Sequence, residues 1–185
     1  MSIFSLLPEL WLLGLVCALF VASISDKKQS VASWLPAAAG LGVLAALFAL
    51  GERGEFLYAA YKLDGLSQFF KLVIAFGFAV VTGIAAGNKE GKDLTPDYFM
   101  LLALSAWGLM LLASCVELIT LYLALELSSY SLYALIPLRG KDRRAAEAGI
   151  KYILFGAAVT ALALFGLSYV IAAKHTTYLS GLAAT

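Results

Sequence analysis

Six apolar runs, separated by short polar or charged stretches, set the pattern of the chain. They cover residues 3–24, 31–50, 66–86, 98–114, 116–138 and 145–173. Each approaches the roughly 20 residues an α-helix needs to cross a bilayer core at about 1.5 Å per residue. In lipid, a segment satisfies its backbone N–H and C=O groups only as a helix or in a closed barrel. No period-two alternation is present to build a barrel. The pattern predicts an all-α polytopic membrane bundle of six transmembrane helices, forming one membrane domain over residues 1–185.

The fourth and fifth runs nearly fuse, with only "ASCVEL" between them. One helix through both would overshoot a bilayer, so Ser114 and Glu117 mark a tight turn between two helices. Gly83 and Gly87 form a GxxxG on the third helix, which predicts close approach of a neighbouring helix. Pro36 falls in the first turns of the second, where its missing N–H costs little.

Composition sharpens the class. The chain is 62% apolar and 14% charged, against about half and a quarter in soluble domains. A net charge of +1 leaves no basic surface for nucleic acid. Cys17 and Cys115 are isolated, with no CxxC and no nearby His, and read as buried small side chains rather than metal ligands. Glu9 is the only charge before Asp26, so no positive n-region marks a cleaved signal, and the first run is expected to be retained as a helix. Lys27, Lys28, Lys89, Lys92, Arg139, Lys141, Arg143 and Arg144 fall in the odd loops, whereas only Arg53, Lys62 and Lys174 fall in the even ones or after the last run. That bias assigns the odd loops to the cytoplasm and both termini to the outside.

Among the ionisable residues inside the runs, three stand out as candidates: Glu126, Lys151 and Lys71. Glu126 lies nine residues from Glu117 and eleven from Pro137, roughly 14–16 Å from either end and so near the midplane. A short side chain cannot snorkel from there; the carboxyl is protonated, paired or hydrated, and able to exchange a proton. The alternative is a structural glutamate whose hydrogen bonds lock two helices. Lys151 lies about 10 Å inside the sixth run, at a depth that allows either a pair with Glu126 or snorkelling to headgroups. Lys71 lies about 8 Å inside the third run, where snorkelling is equally open.

"LYLALELSSYSLYAL" and, past a basic loop, "AAEAGIKYILFGAAVTALALFG" resemble the antiporter-like membrane subunits of respiratory complex I, the N-type chains above all. "LPEL", "LDGLSQFFK" and "ASCVELITLYLALEL" fit the same pattern in order, so the resemblance covers almost the whole chain. It implies a proton-translocating, non-redox subunit of an NADH-quinone oxidoreductase in a bacterial inner (plasma) membrane. Its partners would be other membrane-arm subunits and the lipid bilayer. It implies no cofactor or metal in this chain; NAD, FMN, iron–sulfur clusters and quinone are expected only in other subunits. Glu126 matches the family's buried glutamate of the fifth helix, Lys151 a lysine near the start of the sixth, and Lys71 the lysine after the third-helix aromatic pair. Family members continue into a second, inverted bundle, so the chain is expected to be the N-terminal half of that fold. A subunit of a multisubunit cation/proton antiporter or of a membrane-bound hydrogenase is the nearest alternative. A structural bundle that recruits partner subunits is the second.

Overall fold

The computed structural model of the chain describes residues 3–25, 31–87, 94–138 and 143–183. After a 3-10 turn at Ile3–Leu6, six long helices follow one another: α1 (Leu7–Ile24), α2 (Val31–Ala49), α3 (Gly65–Gly87), α4 (Pro96–Leu112), α5 (Leu118–Leu138) and α6 (Arg143–Lys174). A short α7 (Leu179–Ala183) ends the described chain. The fold is mostly helical, as the pattern of apolar runs predicts. Among the described residues, four stretches are long and apolar enough to cross a membrane: Phe4–Ile24, Gly65–Gly87, Leu118–Leu138 and Arg143–Lys174. Ser33–Ala49 and Pro96–Leu112 are apolar but shorter.

Local chemistry fixes the helix ends. Proline falls in the first turn of α1 and of α4, where no intrahelical bond needs its N–H. Asp64 caps α3: its Oδ1 accepts from the Ser67 N–H at 2.8 Å, and Ser67 Oγ accepts from the Asp64 N–H at 2.9 Å. This reciprocal pair satisfies two donors that the first turn would otherwise leave orphaned. The backbone N–H of Ser67, first among its neighbours, holds the Asp64 carboxyl below its ordinary value. α6 stops where His175 turns left-handed at φ 51° and its N–H returns to Ile171 O at 2.8 Å.

The packed core lies among the first four helices. Leu12, Leu15 and Leu19 of α1 meet Leu35 and Ala39 of α2, Ala75 and Phe78 of α3, and Phe99, Ala103 and Met110 of α4. α4 also lies along α5, and α5 carries α6 on its other side. Gly108 permits the first of these contacts: a Cβ there would stand 2.7 Å from Ser128 N and 3.1 Å from Ala124 O. Gly156 of α6 sits against the Tyr133 ring of α5 in the same way. The expected close approach at Gly83 and Gly87 is not made. Both glycines are exposed, with nothing within 4 Å of where a Cβ would project. No described helix covers that side of α3.

One end of the bundle carries structure too short for periodicity to reveal. β1 (Gly54–Phe56) and β2 (Tyr61–Leu63) pair antiparallel, with Glu55 opposite Lys62. Leu57, Tyr58 and Ala59 join them with φ of 52°, 56° and 64°, a left-handed run that L-residues rarely sustain. Outside contacts hold it. Lys62 N–H donates to Ser114 O at 2.8 Å, Val116 N–H to Ala60 O at 3.0 Å, and the Tyr178 hydroxyl to Tyr58 O at 3.1 Å. Leu118 N–H and Leu179 N–H add bonds to Thr177 O and Val116 O. The hairpin, the α4–α5 connection and the chain after α6 thus form one hydrogen-bonded cap. Lys27, Lys28, Lys89, Lys92, Arg139 and Lys141, on which the predicted orientation chiefly rests, lie outside the described residues.

Candidate functional site

Glu126 sits on α5 about 12 Å from its start at Leu118, and is 6% exposed. α6 reaches it with a hydroxyl rather than a charge: Thr160 Oγ1 donates to Glu126 Oε1 at 2.8 Å. The contact at Gly156, one turn earlier on α6, brings Thr160 close enough to do so. Glu126 Oε2 is buried without a hydrogen-bond partner among the described residues. The Tyr122 and Tyr130 phenols, one turn to either side on α5, interact with the Glu126 carboxyl, whereas the nearby serines are engaged elsewhere. Ser128 pairs with Ser105 of α4 at 2.9 Å, and Ser131 donates to Leu127 O at 2.7 Å. Tyr133 stacks edge-on with Tyr130 and with Tyr152 of α6.

The Glu126–Lys151 pair that the sequence allows is not formed. Lys151 bonds Glu147 at 2.6 Å, four residues back on its own helix, and the two side chains are 66% and 60% exposed. An i, i+4 pair orders two side chains already on the same face, a smaller entropic demand than reaching across to another helix. Only Gly149 of the 32 residues of α6 is buried, and Phe155, Leu162 and Phe165 stand out from it. Lys151 therefore lies on a face that no described element covers.

Lys71 is placed differently from both. Its side chain is fully buried and ion-paired with Glu9 of α1, itself 5% exposed. A helical side chain leans toward the helix N-terminus, which for α3 is the hairpin end, so Lys71 rises to meet Glu9 in the first turn of α1. That first turn suits a carboxylate, because the helix dipole is positive there. Tyr61 of β2 closes the site: its hydroxyl donates to Glu9 Oε1 at 2.7 Å, and its ring centroid lies 5.1 Å from Lys71 Nζ. Burial first, and then the Glu9 carboxylate, push the Tyr61 hydroxyl far above its ordinary value, so it remains a donor. Gln68, one turn before Lys71, donates to Ser5 O at 3.1 Å. Snorkelling does not describe Lys71, which faces inward.

Sequence reasoning misses Glu9, Tyr61 and Thr160 as site residues. Glu9 carries a signal, being the only acid in the first apolar run. Thr160 carries a weaker one, a hydroxyl one turn after a glycine in an apolar helix. Tyr61 carries none, since its place depends on a hairpin of three-residue strands.

With this geometry in hand, the relatives fit. Residues 115–185 match the family model described as NADH:quinone oxidoreductase/Mrp antiporter, TM. The chain is 98% identical over 185 residues to NADH-quinone oxidoreductase subunit N 2 of Solidesulfovibrio magneticus, covering all of this chain and 40% of that protein. It is 39% identical over 184 residues to the subunit N 2 of Opitutus terrae, covering 96% of this chain and 38% of the relative. Its fold matches a chain in a structure of respiratory complex I from Thermus thermophilus with bound aureothin, with TM-score 0.76 and 28% identity over 93% of this chain and 38% of that one. The chain thus spans about 40% of the length of the relatives it matches. Along almost its whole length the chain is similar, in sequence and in fold, to the antiporter-like membrane subunits of respiratory complex I, with subunit N as the matching type.

Proposed function

We propose that the chain is the N-terminal portion of a proton-translocating, non-redox membrane subunit of an NADH-quinone oxidoreductase. The observation that carries this reading is Glu126: a buried carboxyl in an apolar helix, with one oxygen held by Thr160 and the other without a partner among the described residues. An acid at that depth disfavours insertion by about 2.5–3.5 kcal/mol and is kept where an ion path needs it. Thr160 orients the carboxyl through Oε1, the Tyr122 and Tyr130 phenols flank it, and Oε2 stays available to take up and release a proton. The relatives' names support the quinone-oxidoreductase context. Quinone reduction in other subunits would drive the cycle, and NAD, FMN and iron–sulfur chemistry would belong there.

Lys151 has its role at the exposed edge. A helix packed on α6 from the rest of the full-length subunit would desolvate the Glu147–Lys151 pair and make its charge state responsive to proton movement. All six long helices cross the bilayer in this reading, with the hairpin end and the N-terminus outside a bacterial inner membrane, as the basic bias of the odd loops favours.

Replacing Glu126 by Gln in the full-length subunit within its complex is the test. Protons translocated per quinone reduced should fall while quinone reduction and assembly persist. An unchanged ratio makes Glu126 a structural residue of a partner-recruiting bundle. The matched family description also names Mrp antiporters, which favours a second reading as a cation/proton antiporter subunit. Copurification with NADH-binding and iron–sulfur subunits selects the first.

A further inference from the structure

A second buried ionisable cluster lies apart from Glu126, under the hairpin. Three elements build it: Glu9 from α1, Lys71 from α3 and Tyr61 from β2. We propose that the Glu9–Lys71 pair, gated by the Tyr61 hydroxyl, is a second proton-exchanging site of the subunit, at the hairpin end of the bundle. This inference rests on the translocating function proposed above.

The hydrogen bonds argue against a purely structural lock. A buried ion pair kept for stability gains only when its remaining polar atoms are satisfied. Here Glu9 Oε1 accepts from the Tyr61 hydroxyl and is ion-paired with Lys71, while Glu9 Oε2 has no partner among the described residues. Gln68 Oε1, on the same buried face of α3, is likewise unpartnered, and the buried Ser114 hydroxyl lies beside Tyr61. The two oxygens are unused acceptors around a titratable pair, and Glu9 Oε2 is the atom to which an incoming proton would bond. The Tyr61 ring lies within cation–π range of the ammonium, so Lys71 keeps a stabilising neighbour when Glu9 is neutral.

The other titratable groups facing the pair leave it to do the work. Asp64, at the cap of α3, is held charged by its hydrogen bonds. Cys115, on the α4–α5 connection, is kept neutral by burial, which pushes its thiol up. Tyr61 remains protonated and acts as the positioning residue. It also links the pair to the rest of the molecule, because Tyr61 bridges Cys115 through the backbone, three residues before α5 begins at Leu118.

The proton balance closes. A proton arriving at Glu9 forms an O–H bond and removes the counter-ion of Lys71. The ammonium then loses a proton, its N–H bond breaking, which leaves a neutral acid beside a neutral amine. Transfer from the Glu9 O–H to Lys71 Nζ restores the ion pair. One proton has entered and one has left.

The test uses the full-length subunit in its complex, reconstituted into liposomes, reading protons translocated per quinone reduced. Glu9→Gln and Lys71→Met should each lower the ratio at least twofold. The double variant, which leaves no unpaired charge, should recover the thermal stability lost in the single variants without recovering pumping. Tyr61→Phe, which keeps the ring and removes only the hydroxyl, should shift the pH profile of pumping. Wild-type pumping in the double variant, or an unmoved profile in Tyr61→Phe, would overturn the proposal; Tyr61→Phe decides alone if the charge variants do not assemble. Glu126→Gln run beside them separates the two levels. A lowered ratio there with a wild-type double variant removes this site only, whereas an unchanged ratio in Glu126→Gln removes the translocation reading itself.

Discussion

The two buried carboxyls of this chain are supported in opposite ways. Glu9 is enclosed by α1, α3 and the hairpin, with a cation, a phenol and an aromatic face all supplied by described residues. Glu126 lies near the edge of the bundle, with a threonine donor from a helix whose outer face is exposed. The first site has its charges compensated within this stretch of chain, with Glu9 Oε2 left without a partner among the described residues. The second is compensated only in part, and the cation that sequence brings nearest to it is turned away to Glu147. A carboxyl surrounded on all sides has its properties fixed by the local fold. One at an edge takes them from whatever packs there.

The largest expected effect comes from breaking the enclosed ion pair. Lys71→Met alone leaves Glu9 buried without its cation, and should lower the stability of the full-length subunit by about 3–5 kcal/mol in a detergent unfolding titration. Thr160→Val at the edge site removes one hydrogen bond to a carboxyl and should cost about 1.5–3 kcal/mol at most. Equal losses would erase the contrast between the two regions.

Glycine contacts sharpen the same comparison. Gly108→Ala drives a methyl into the Ser128 backbone, and should cost about 1–3 kcal/mol as α4 and α5 shift apart. Gly83→Ala meets nothing within 4 Å, and should be neutral or stabilising by up to about 1 kcal/mol. A strong loss of complex assembly in Gly83→Ala would instead reveal a partner helix on that side of α3.

A smaller effect belongs to the cap of α3, which sets the height of Lys71. Asp64→Ala should cost about 1 kcal/mol. Because the folded carboxyl is held below its ordinary value, its contribution is fully present above that ordinary value and disappears as pH falls through the lowered one. Stability measured against pH should therefore show a steeper acid limb in the wild type than in Asp64→Asn.

Much of the helical fold is legible in the residues. Apolar runs mark where helices lie, and "ASCVEL" falls where the chain breaks between α4 and α5. The hairpin is not legible, because three-residue strands carry no period and a left-handed run of Leu, Tyr and Ala has no glycine to announce it. The sites are legible only in part. Depth along a helix follows from counting residues, so the midspan position of Glu126 can be read. Direction around a helix depends on which neighbours pack where. That is why Lys71 turns out to face inward, Lys151 outward, and Gly83 toward no described helix.

Whether the carboxyl at position 126 changes protonation during turnover can be observed directly. Infrared difference spectra of the assembled complex, recorded as quinone is reduced, report a protonated carboxyl through its C=O stretch. A band is expected that vanishes in Glu126→Gln and shifts in frequency in Thr160→Val, since that hydroxyl is the donor to Oε1. Spectra in which no carboxyl band responds to either substitution would contradict proton exchange at Glu126.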